Sequence, residues 1–214
     1  MTERFHRPVR MPGEAFEAVV GGADPAATSR VAHDTAAALL HRIRGGAEPA
    51  RIVGAAIERL VAYTDAHGID EFAELWSRAA AHSLPGALWR LYVIRAAVRA
   101  DPDGASWTFR RGAEIDRTIS RAVAGAVTPT GPRELEQLID EILRGAFVGD
   151  FEIALERASA FCRIMSKGAI DAATEGEDHS PERARELTLR AARYLGYAED
   201  LHVCAQRWAD GVLD

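Results

Sequence analysis

Apolar residues recur along this chain at helical spacing. They are densest in LPGALWRLYVIRAAVRA, residues 84–100, where Leu84, Leu88, Trp89, Leu91, Tyr92, Val93, Ile94 and Val98 run almost all the way round a helix. A helix apolar on every side belongs in an interior, so this segment is expected to be central. Ser83 offers an N-cap, and Pro85 falls in the first turn, where its missing N–H costs nothing. Arginines interrupt the helix. Arg90 projects away from most of the large aliphatics, whereas Arg95 follows Leu88 by seven residues and Leu91 by four and shares their face. An unpaired buried charge is very costly, so Arg95 is expected either to pair with a carboxylate or to anchor an anionic ligand.

The same periodicity, read with start and stop signals, divides the rest of the chain. Residues 1–11 form a basic tail, expected to be extended and flexible, and 12–20 fit a short helix. Asp24-Pro25 starts a helix stopped by Gly45-Gly46, with Val31, Ala38, Leu39 and Ile43 as its apolar face. Pro49 opens another helix that ends at His67-Gly68, and 69–81 follow with Phe72, Leu75 and Trp76 on one side. Asp101-Pro102-Asp103-Gly104 reads as a turn, because proline sets φ and glycine accepts the left-handed position. Helices are expected over 107–124 with a break at Gly112, over 133–144, and over 150–166 with Phe151, Leu155, Phe161, Cys162 and Met165 inward. The stretch TEGEDHSP at 174–181 reads as an acidic loop.

Ser180-Pro181-Glu182 caps a final helix reaching about residue 212, whose stripe includes Leu187, Ala191, Leu195, Leu201, Trp208 and Val212. At 1.5 Å per residue such a helix is about 45–50 Å long, enough to lie along a bundle or a dimer partner. No segment shows the alternation of a strand and no fixed period repeats. The expected fold is all-α: a single helical array over 12–214 of about eight to nine helices, with a subdomain boundary near 125–132 at the linker-like AGAVTPTGP.

Composition changes this picture little. The chain has 214 residues, 48% hydrophobic and 27% charged, the balance of one globular helical domain. Lys167 is the only lysine and asparagine is absent, a bias that fits a GC-rich genome and removes functional weight from the many arginines. The formal net charge of −6 argues against general nucleic-acid binding. Two cysteines, Cys162 and Cys204, make no disulfide framework. With no apolar run suited to a leader or a membrane span, a cytoplasmic setting is expected.

Catalytic signals are sparse. No phosphate-binding glycine loop and no GxSxG elbow occurs. Glu199-x-x-His202 is one half of the pattern that di-iron bundles use, but its only counterpart, Glu3-x-x-His6, lies in the tail, so a structural histidine and no metal are expected. His33 and His41 are too far apart to share an ion, and Glu175, Glu177, Asp178 and His179 lack the calcium-loop spacing. Arg110, Arg117 and Arg121 align only if 107–121 is one helix. They then form either an anion or nucleic-acid contact or a solvated face with internal ion pairs. A helix-turn-helix over 50–81 would open its second helix with Asp70, Glu71 and Glu74, the wrong charge for DNA.

The balance leans away from an enzyme and implies no cofactor. The reading favoured by the sequence is a non-enzymatic interaction or scaffold protein with a protein partner or a homodimer interface. The alternative is a helical bundle binding a small anionic or amphipathic ligand in a cavity lined by Trp89, Tyr92, Arg95, Tyr194 and His202. A nucleic-acid-associated regulator comes third.

Overall fold

Among the described residues, five of the six helices carry a proline in the first turn, and three of these five are capped by a side-chain oxygen just before it. In the computed structural model, which describes residues 24–41, 74–117, 131–148, 150–176 and 179–214, the helices are α1 (Pro25–His41), α2 (Leu84–Ala100), α3 (Pro102–Ile115), α4 (Pro132–Val148), α5 (Phe151–Gly176) and α6 (Pro181–Ala209). Asp24 Oδ1 accepts from the Ala26 N–H at 3.0 Å, Ser83 Oγ from the Gly86 N–H at 3.3 Å, and Asp101 Oδ1 from the Gly104 N–H at 3.0 Å. The exception, α5, has no proline and is capped by Asp150 Oδ1, which accepts from the Glu152 and Ile153 N–H groups.

The described residues hold these six helices, one further helical turn at 74–76, and no strand. Among them, no helix is long and apolar enough to cross a membrane. The tail 1–11, the helices expected over 12–20 and 49–67, and the boundary near 125–132 lie outside the described residues.

Three expected element boundaries are corrected. Asp101-Pro102-Asp103-Gly104 is not a free turn but the cap and first turn of α3, so Asp101 alone joins α2 to α3. Gly112 does not break α3, which continues to Ile115 and closes with the Asp116 N–H on the Gly112 carbonyl at 3.0 Å. Helix α5 runs ten residues beyond Ser166, because Gly168, Ala169, Ala172 and Ala173 go on burying a face.

Among the described residues the hub is α5, not α2. Helix α5 packs on α6 along its length and also carries α3 and α4, while α2 meets α1, α4 and α6. Small residues explain the difference. The α5/α6 seam is antiparallel and built on Ala158, Ala169, Ala191 and Ala198, all buried. Two serines cross it: Ser159 Oγ donates to the Ala198 carbonyl at 2.7 Å, and Ser166 Oγ to the Ala191 carbonyl at 2.9 Å. Helices α3 and α5 cross where Gly112 meets Gly168. A Cβ on Gly112 would overlap the Ile164 carbonyl oxygen, and one on Gly168 the Thr108 carbonyl oxygen. In α2, by contrast, Trp89, Tyr92 and Val93 are only half-buried, so the helix is amphipathic rather than apolar all round.

The same preference for small residues turns α1. Ala32, Ala36 and Leu40 are its buried face, while Val31 is exposed and Ala38 half-buried; Ile43 lies outside the described residues. Trp76, fully buried, donates its Nε1–H to Thr35 Oγ1 at 3.1 Å and ties the 74–76 turn to α1. Helix α6, with 29 residues, is about 43 Å long. Its inner stripe of Ala184, Leu187, Ala191, Tyr194, Ala198, Leu201, Cys204 and Ala205 is buried within the chain itself, whereas Leu195 points outward; the helix stops at Ala209, so Val212, expected on its stripe, lies exposed beyond its end.

Candidate functional site

The residues expected to line one cavity are held at separate places. On α2, Arg95 donates from Nε to Asp140 Oδ1 of α4 at 2.6 Å, and Arg99 reaches Asp140 Oδ2 at 2.7 Å. Arg95 is thus committed to a carboxylate. The more enclosed arginine of α2 is Arg90, whose side chain is 13% exposed against 26% for Arg95. Arg90 donates to Asp200 Oδ2 of α6 and to the Gly86 carbonyl, and Asp200 Oδ1 also contacts His82 Nε2 at 2.9 Å. Trp89 and Tyr92 stack with ring centroids 5.8 Å apart. On α6, His202 Nδ1 lies 2.7 Å from Glu156 Oε1 of α5, and its Nε2 lies 3.1 Å from Gln206 Nε2. Both ring nitrogens are therefore engaged. No group of three or more metal-ligating side chains occurs among the described residues.

The arginine stripe loses its premise, because α3 ends at Ile115. Arg110 and Arg117 are exposed, Arg117 lies beyond the helix, and Arg121 is outside the described residues. The neighbouring Arg111 is the anchored one. It pairs with Asp171 and, at 2.6 Å, with Glu175, and its guanidinium lies 4.9 Å from the Trp107 ring centroid. These carboxylates raise its pKa against the effect of burial. Neither thiol is poised as a nucleophile. Burial pushes Cys162 far up and Cys204 to about 11.

Asp140 supplies a pH prediction. Burial alone would raise its pKa, but the hydrogen bonds from Arg95 and Arg99 outweigh that and hold it below the ordinary 3.8. A carboxylate with a depressed folded pKa stabilises the fold above its unfolded value, and that stability disappears as pH falls through the folded pKa. Asp140→Asn is expected to lower neutral-pH stability by up to about 1 kcal/mol, given the partial exposure of the pair, and to reduce the loss of melting temperature below pH 3.8. An acid limb identical to wild type would sink the assignment.

Two surface features remain. The first is a cleft of about 440 Å³ between α2 and the first half of α6. Val93, Ile94 and Leu187 contribute to its apolar floor, with Tyr194 and Tyr197 beside them. Arg183, Arg190 and Arg193 stand over it, against Glu186 as its one acidic lining residue. Tyr194 is 5% exposed, and its hydroxyl has no hydrogen-bond partner among the described residues. Burial raises its pKa while Arg190, 5.9 Å above the ring, opposes the rise. Of the five residues expected to share a cavity, this cleft takes Tyr194 alone.

The second is a shallow groove of about 740 Å³ on the outer side of α5 and α6, at the end of α3. It carries Ile115, Ile170 and Leu195, which are 54%, 45% and 47% exposed. Arg163 and Glu199 line it, and neither has a partner among the described residues. The chain matches no family model, no curated protein and no solved structure.

Proposed function

We propose that the protein is a non-enzymatic helical interaction protein that acts as a homodimer joined through the outer groove of α5 and α6. The observation carrying this reading is the clustering there of Ile115, Ile170 and Leu195, large aliphatics left half in water although the chain buries every inner position of the α6 stripe. Single exposed apolar residues are ordinary on a protein surface; several sharing one groove mark a contact surface. A two-fold interface presents the same patch twice, so it must be self-complementary. Arg163 and Glu199 supply one unpaired charge of each sign on the same patch. In a dimer, Arg163 of one protomer meets Glu199 of its partner. The two cysteines, both free and buried, suit a reducing, cytoplasmic setting.

Light scattering coupled to gel filtration tests the reading. Wild type is expected at twice the monomer mass, and Ile170→Glu/Leu195→Glu at the monomer mass with an unchanged helical spectrum. Arg163→Glu and Glu199→Arg are each expected to weaken the dimer, and their combination to restore it, since the pair is then merely inverted. A monomeric wild type defeats the proposal.

A further inference from the structure

We propose that the cleft between α2 and α6 is a binding site for a small amphiphile with one anionic head, a carboxylate or a phosphate, and an apolar tail. The inference is independent of the dimer, because the cleft lies on the inward-turning side of α6, away from Leu195. Its volume of about 440 Å³ falls within the range of small-ligand sites, about 300–1,000 Å³.

Helical spacing sorts the lining by chemistry. Leu187, Tyr194 and Tyr197 follow one another around the inner face of α6 and meet Val93, Ile94 and Ala97 of α2, which gives an apolar floor. Arg183, Arg190 and Arg193 project from the adjoining rim. Among the described residues, the partly buried Arg90, Arg95 and Arg111 are matched to carboxylates, Arg90 to Asp200, Arg95 to Asp140 and Arg111 to Asp171, whereas Arg190, likewise partly buried, and the exposed Arg183 and Arg193 share this cleft with Glu186 as its one acidic residue. Arg183 pairs only with Glu186, on the surface at 3.2 Å, and Arg190 and Arg193 have no carboxylate partner among the described residues. The cleft thus holds a cationic excess over an apolar floor, which is complementary to an anionic head and a hydrocarbon tail. Tyr194 adds a hydroxyl without a partner at the same place. Arg183 and Arg190 also line a second depression of about 340 Å³, shared with the half-exposed Trp107 of α3. The rim arginines therefore stand between two openings, and a head group held by them leaves its tail on the α2 side, where the floor is apolar.

Calorimetric titration tests the site with four probes: dodecanoate and dodecyl phosphate below their micellar concentrations, the uncharged dodecanol, and inorganic phosphate. Saturable binding near one per chain is expected for at least one anionic amphiphile, and the better of the two identifies the head. Arg190→Gln/Arg193→Gln is expected to weaken that binding about tenfold, the effect of losing charge-assisted hydrogen bonds. Arg185→Gln, which removes the same charge from an exposed position of the same helix that lines neither opening, leaves it unchanged. Melting curves without ligand separate a folding defect from a binding defect, and Ala97→Trp, which fills the floor without touching the rim, provides a second loss-of-binding variant. No binding of either anionic amphiphile overturns the proposal. So does dodecanol or inorganic phosphate binding as tightly as they do, or equal losses in the Arg185 control.

Discussion

Gly168→Val is expected to destabilise the protein by more than about 3 kcal/mol, the upper end of the usual range for overpacking. The reason is the nature of the atoms it would strike. A Cβ at 168 overlaps the Thr108 carbonyl oxygen, and one at 112 overlaps the Ile164 carbonyl oxygen, so each glycine is closed in by the backbone of the other helix. A flexible side chain could swing aside, but a helical carbonyl moves only with its helix. Relief requires α3 to withdraw from α5, which opens the contacts around buried Phe109 and Phe161. Urea unfolding measures the effect, and Gly112→Ala should shift the midpoint in the same direction. Gly196→Ala is the control of opposite sign. Nothing lies within 4 Å of a Cβ there, so the variant should gain about 0.5–1 kcal/mol from the lower flexibility of alanine in a helix. A Gly168→Val protein that unfolds like wild type would remove the crossing.

Phe161→Ala is expected to lose about 3–5 kcal/mol, the usual loss for deleting a buried aromatic ring. Phe161 is completely buried on the hub helix and stacks on Phe109, with centroids 5.5 Å apart and planes at 25°. Because native stability is typically about 5–15 kcal/mol, this one change removes a large part of it. Phe109→Ala should have a comparable effect, and the double variant should lose less than the two separately, since both delete the same contact. Full additivity in chemical denaturation would show that the rings do not share a site.

The local rules of the sequence reached the helices and stopped at their partners. Ser83 and Pro85 placed the start of α2, and Ser180-Pro181 that of α6, because caps act within a single turn. Asp101-Pro102 misled for the same reason: one dipeptide suits a turn and an N-cap alike, and only the packing of Ala105 and Phe109 makes it the latter. Gly112 looked like a break because a glycine ending a helix and a glycine inside one crossing another are identical in sequence; Gly168, on a different helix, makes the distinction. Bulk misled as well. Val31 and Leu195 seemed inward because they are larger than Ala32, Ala36 and Ala198, yet close helix contacts select the alanines. The cleft was legible only at Tyr194. Its arginines stand out by outnumbering the one carboxylate beside them, Glu186, over an apolar floor supplied by a second helix, and that conjunction exists only in three dimensions.

The place of α5 in the chain bears on how the protein is made. Helices α5 and α6 are separated by only the few residues from 177 to 180, so their pairing closes a short loop at small entropic expense. The links from α2 span much more: 45 residues from Arg95 to Asp140, and 110 from Arg90 to Asp200. Synthesis proceeds from the N-terminus, so α3 and α4 leave the ribosome before the helix they pack on exists, and α2 before its partner α6. Their apolar faces wait through the translation of roughly the first 150 residues. The α5/α6 hairpin then forms quickly, and α2, α3 and α4 gather onto it, with α1 held through α2. The final third of the chain is therefore the part whose arrival ends the exposure of the faces that α2, α3 and α4 turn toward it.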